Sequence, residues 1–257
     1  MHTNSASTAL RVRPRIWLGL TAFVAYLAVF YGIWIVNGID YARIGESEET
    51  LLKWYVAPLA GGFVVLLAIV STFGWWRPSL RTRRLPRAAA VVPVIMAAVA
   101  ILNLVFGEFS RVTVTMWILL VIGSVLVGFN EEVIARGQLM VALRSRFGEM
   151  GIWFLSTFLF SLLHLPNLFF GIGSLAFLQV VIQFGLGSVY YLAFRSTGSL
   201  VPAMMLHGLW DFSTFSSSLP YAGLVAPFLG IAGVAVAVTL LVKERRRDER
   251  GTGEPIR

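Results

Sequence analysis

Six ionisable side chains interrupt long apolar runs of this chain. Glu131, Glu132 and Arg136 lie in VLVGFNEEVIARGQLMVAL, His164 in WFLSTFLFSLLHLPNLFF, and His207 with Asp211 in LVPAMMLHGLWDFSTF. The chain has three histidines, and only His2 stands outside this set. Ionisable groups within hydrocarbon are costly, so they face a protein interior and commonly mark a functional site. A carboxylate can take a proton from water, and an imidazole can donate to an oxygen that gains negative charge. Together these are the requirements of peptide-bond hydrolysis.

Spacing suggests a division of labour. Glu132 and Arg136 are four residues apart, so one helical face carries both and an internal ion pair can form. Glu131 lies about 100° around the helix from Glu132 and is free to point at a ligand. His207 and Asp211 share the four-residue spacing; Asp211 could orient His207, or both could face one ligand. Phe160, one helical turn before His164, could wall that side of a pocket. Asn130 and Asn167 are supporting donors by position. An isolated Glu or His in hydrocarbon is driven to its neutral form, so a working base needs a wet cavity, an ion pair or nearby donors. Arg136 offsets the second carboxylate and leaves Glu131 to act.

These residues need helices to position them. Of the 257 residues, 57% are hydrophobic and 13% charged, with a mean hydropathy of +0.78. Apolar runs of nearly spanning length alternate with short charged loops, which predicts an all-α polytopic membrane protein. Eight spans are expected, at about 16–37, 52–75, 88–107, 114–143, 151–170, 173–194, 200–217 and 223–242. The first is too long for a signal-peptide core and lacks a small-residue cleavage site, so it reads as a retained helix. Pro166 can bend or stop the fifth. Around this single domain, residues 16–242, lie a cytoplasmic segment, 1–15, and a basic cytoplasmic tail, 243–257. At about 1.5 Å per residue, Glu131 lies about 18 Å from the end of the fourth helix and His164 about 20 Å into the fifth. His207 and Asp211 lie about 10 to 17 Å into the seventh. The depths coincide only if the fourth helix continues past Arg136.

Loop charge tests this count. Arg11, Arg13 and Arg15 precede the first span, and Arg77, Arg81, Arg83, Arg84 and Arg87 join the second to the third. Arg144 and Arg146 follow the fourth, Arg195 the sixth, and Lys243 with Arg245, Arg246, Arg247 and Arg250 the eighth. The alternate loops carry Asp40, Glu46, Glu48 and Glu49, or Glu108 with Arg111. Positive-inside bias then puts both termini in the cytoplasm. The net charge of +8 has the same origin and implies anionic lipids as partners. Nucleic acid is not an expected partner, because the basic residues sit in short loops and a tail. With no cysteine, neither a disulfide nor a thiol nucleophile is available.

The stretches EEVIAR (Glu131, Glu132, Arg136), FSLLH (Phe160, His164) and HGLWD (His207, Asp211) resemble the CPBP family of intramembrane proteases. That family includes type II CAAX prenyl proteases and Abi-type bacterial proteins. The resemblance covers roughly residues 115–215. It implies an intramembrane endopeptidase, expected in a bacterial cytoplasmic membrane, acting on a membrane-associated protein or peptide, with prenylated ones included by analogy. It further implies that Glu131 and His164 activate water, and that His207 and Asp211 polarise the scissile carbonyl or stabilise the oxyanion. Glu132 and Arg136 would organise the helix. The family is also called metalloprotease-like, so an alternative gives His164, His207 and Glu131 or Asp211 to a divalent metal such as zinc. No HExxH arrangement is present, and the metal-free glutamate mechanism without a cofactor is preferred. A proton-coupled transporter would draw on the same buried groups. The sequence leaves the oligomeric state open.

Overall fold

A computed structural model describes residues 10–217 and 221–251. His2, Ser218, the first nine residues of the expected N-terminal segment and the last six of the basic tail lie outside the described residues. Among the described residues, eight long helices carry the fold: α1 Ile16–Val36, α2 Glu48–Phe73, α3 Arg87–Val105, α4 Val114–Leu143, α5 Glu149–Phe169, α6 Leu175–Thr197, α7 Val201–Ser216 and α8 Tyr221–Gly251. A short helix, Trp76–Leu80, lies between α2 and α3. Among the described residues there is no β-strand, only an isolated bridge between Arg81 and Ser199.

Seven of the eight are long and apolar enough to cross a membrane. The remaining one, α7, has 16 residues, about 24 Å of helix. It nevertheless runs from one face of the bundle to the other. At its start Leu200 N–H donates to the Leu80 carbonyl (3.1 Å), beside the arginine-rich loop. At its end Asn103, near the opposite end of α3, donates to the Ser213 carbonyl (2.6 Å). Packing, chiefly against α4, with α3 and α6 also in contact, accounts for its tolerance of polar residues.

Local chemistry ends the helices where the sequence allows. Ser47 and Thr50 form a reciprocal capping box at the start of α2, and the Thr113 hydroxyl accepts from Met116 N–H at the start of α4. Gly74 and Gly198 close α2 and α6 with φ of 69° and 74°, a left-handed backbone that favours glycine.

The loops separate cleanly onto two faces. On one, Val12 N–H donates to the Phe73 carbonyl and Leu85 N–H to the Arg195 carbonyl. Arg144 donates to Thr82, and Arg195 is buried among Glu149, Glu244 and Tyr191. On the other, Tyr41 N–H donates to the Phe170 carbonyl and Thr113 to Glu48 (2.6 Å). The start of the expected tail is helical: α8 continues past residue 242, and Glu244 and Asp248 pair with Arg83. Trp75, just past the end of α2, is fully buried, its indole N–H donating to the Val12 carbonyl (2.7 Å).

Candidate active site

Helix α4 reaches Leu143, so the continuation past Arg136 that the depth argument requires is present. Its first α-helical part ends at Glu132, Val133–Leu139 is π-helical, and Met140–Leu143 is α-helical again. Such π-helical segments add a residue to the turn and are frequent at functional sites. Every residue from Asn130 to Leu143 is buried. Helices α4 and α7 approach closely where glycine permits it: a Cβ at Gly208 would lie 2.6 Å from the Ser124 carbonyl oxygen, and one at Gly128 would meet the Met204 carbonyl.

That approach joins Glu132 to His207. One carboxylate oxygen, Glu132 Oε1, accepts from Arg136 Nη1 at 2.9 Å and lies 2.9 Å from His207 Nδ1. Glu132 and Arg136 are both 0% exposed. Arg136 Nη2 donates to the Gly187 carbonyl of α6 (2.7 Å), and its guanidinium lies 4.0 Å above the Phe160 ring. A buried charge stays tolerable when paired and hydrogen-bonded in this way. The ion pair legible from spacing is therefore present, with His207 added to it.

With Nδ1 turned to Glu132, His207 presents Nε2 to a cavity of about 240 Å³. Glu131 Oε2 is 3.8 Å from that nitrogen and Asp211 Oδ1 is 4.0 Å away. Glu131 is 6% exposed, and its Oε2 has no hydrogen-bond partner among the described residues. His164 lines the same cavity. Of the two roles open for Asp211, orienting His207 falls to Glu132, and Asp211 shares the cavity side of the ring.

His164 sits where α5 changes geometry. The α-helical part closes at Leu162, and Leu165–Phe169, with Pro166, forms a 3-10 turn. Phe160 is fully buried, edge-on to both His164 (5.6 Å) and His207 (5.9 Å). It therefore lies between the imidazoles and Arg136 instead of walling the cavity. Asn167 lines the cavity and donates to Gln179 (2.9 Å). Asn130 does not: its amide donates to the Leu59 carbonyl (2.7 Å) and ties α4 to α2.

Other residues emerge only in three dimensions. Tyr190 stacks on His207, 4.3 Å between centroids and 13° from parallel. Trp34, Tyr41, Trp54 and Tyr55 line the cavity with Gln179 and Gln183. Tyr31 donates to the Leu163 carbonyl beside His164. Burial pushes the Tyr41 phenol, outside the spans, up to about 12; its oxygen accepts from Gln179 (2.9 Å), leaving its proton to donate. Tyr190 and the two glutamines carried no signal, being ordinary residues of an apolar helix. Among the described residues, no group of three or more His, Asp or Glu side chains is placed to hold a metal ion. The set His164, His207 and Glu131 or Asp211 is not among such groups.

The architecture is thus that of a polytopic membrane protein with carboxylates and imidazoles from three helices around one cavity. Residues 113–213 match the family described as type II CAAX prenyl endopeptidase Rce1-like. This segment holds all six ionisable residues, and its similarity to that family supports the CPBP/CAAX resemblance of its motifs. No curated protein matches the chain.

Proposed function

We propose that the protein is an intramembrane endopeptidase that hydrolyses a peptide bond of a membrane-associated protein or peptide, using water activated by glutamate and histidine. The observation that carries this reading is the placement of Glu131 Oε2 and His207 Nε2 3.8 Å apart in the cavity that His164 also lines. The family match supports a protease.

In this reading Glu131, assisted by His164, takes a proton as the water oxygen attacks the carbonyl carbon. His207, as the imidazolium with its Nδ1–H on the Glu132 carboxylate, donates from Nε2 to the oxygen on which charge develops, and Asp211 lies on the same cavity side of the ring. Collapse of the tetrahedral intermediate breaks the C–N bond, and the proton taken by Glu131 passes to the departing amine. Glu132, Arg136 and Phe160 position His207 without touching substrate. Both termini lie in the cytoplasm of a bacterial cell in this proposal. Arg11, Arg77 and Arg81, around a groove of about 670 Å³, face anionic headgroups there.

The test is cleavage of a peptide library in detergent by purified wild type, Glu131→Gln and His164→Ala. Cleavage by wild type alone supports the mechanism; equal cleavage by all three removes it.

A further inference from the structure

The cavity and the arginines lie toward opposite ends of the same helices. Each element that reaches the rim does so at its arginine-poor end. Tyr41 and Ile44 belong to the loop between α1 and α2, Trp54 to the first turns of α2, Gln179 to the first turns of α6, and Thr214 to the last turn of α7. These rim residues are half-buried or exposed, whereas Glu131 and His207 below them are buried. Beyond Glu131 toward the arginines the protein is closed. The Glu132–Arg136 pair, the fully buried residues 133–140 of α4 and the Gln138–Ser79 contact fill that end.

The opposite face gathers Arg11, which donates to the Ser71 carbonyl, with Arg83, Arg144 and Arg195, the last donating to the Arg83 carbonyl. Lysine and arginine accumulate in loops that stay in the cytoplasm. Charge within the cavity points the same way. Among the described residues, Glu131 and Asp211 line it and no lysine or arginine does. The basic residues in the elements forming the rim, Arg43 and Lys53, pair locally with Glu46 and Glu49. A ligand's free carboxylate would find no lysine or arginine among the described cavity residues, while aromatic rings and amides suit an apolar backbone segment.

We infer that this cavity is entered from the non-cytoplasmic face of the membrane and takes an internal, apolar, neutral or cationic peptide segment exposed there. This rests on the protease reading for its chemistry, but the direction of access does not. Because the chain has no cysteine, single-cysteine variants report access directly. Ala42→Cys in the α1–α2 loop and Thr214→Cys at the rim would be compared with Arg146→Cys on the arginine face, using a membrane-impermeant maleimide on intact cells. Labelling of Ala42→Cys and Thr214→Cys from outside, with Arg146→Cys labelled only after permeabilisation, is the expected result. The reverse pattern, or Thr214→Cys shielded while Ala42→Cys reacts, overturns the inference.

A second arm uses sealed proteoliposomes, separated by orientation with the same label, and an impermeant fluorogenic peptide outside. Cleavage should occur where the rim faces out, and the C-terminally amidated peptide should be cut as well as its free acid. Cleavage only where the arginine face is outward, or its loss on amidation, contradicts the proposal. Absence of cleavage even after detergent opens the vesicles counts against the protease reading alone, because the labelling pattern still reports access.

Discussion

Glu132 and His207, 75 residues apart in sequence, meet at 2.9 Å between Oε1 and Nδ1, and that contact decides which nitrogen of the imidazole faces the cavity. The same oxygen holds Arg136. Orientation of the ring and neutralisation of the buried charge are therefore one structural event, shared among α4, α6 and α7.

Glu131→Gln keeps the size of the side chain and removes its capacity to take a proton. Peptide cleavage should fall by about 10²- to 10⁴-fold, with the detergent unfolding midpoint nearly unchanged. A variant retaining wild-type turnover would remove Glu131 from the chemistry.

Arg136→Ala leaves Glu132 buried without its cation. A loss of about 3–5 kcal/mol is expected, read as a lower unfolding midpoint, together with lost activity. Combining Arg136→Met with Glu132→Leu should recover part of the stability but none of the turnover, since His207 would then lack its orienting oxygen. Recovery of both would show that the pair serves the fold alone.

Tyr190 contributes its ring face to His207. Tyr190→Phe preserves that face and should cleave as wild type does. Tyr190→Leu should lose roughly 0.5–1.5 kcal/mol of stacking, lowering kcat by about 2- to 10-fold with little change in KM. Identical kinetics for the two variants would argue that the stack is incidental.

Gly208→Ala would press a methyl group onto the Ser124 carbonyl. Separation of α4 from α7 should cost about 1–3 kcal/mol and reduce cleavage as Glu131 moves away from His207. Gly223→Ala, where a Cβ meets open space, should change neither. Equal behaviour of the two variants would contradict the close-approach argument.

Metal content offers an independent check. Purified wild type and His164→Ala should carry the same substoichiometric zinc, and chelation should leave cleavage intact. Stoichiometric metal that is lost together with activity would replace the glutamate mechanism with the metal-dependent one.

Hydropathy and loop charge were sufficient for the all-α membrane class, the eight helices and the alternation of loops between two faces, because burial in lipid demands long apolar helices whatever their neighbours. The Glu132–Arg136 pair was legible for a similar reason: four-residue spacing is a local property of a helix. Rotation of one helix against another is not local. The π-helical turn after Glu132, the glycine contacts between α4 and α7, and the 3-10 turn after His164 set which faces meet. Hence the partner of His207 Nδ1, the stacking of Tyr190, the departure of Asn130 toward Leu59 and the arginine-free rim were decided only by tertiary packing, which brings together side chains that no sequence period connects.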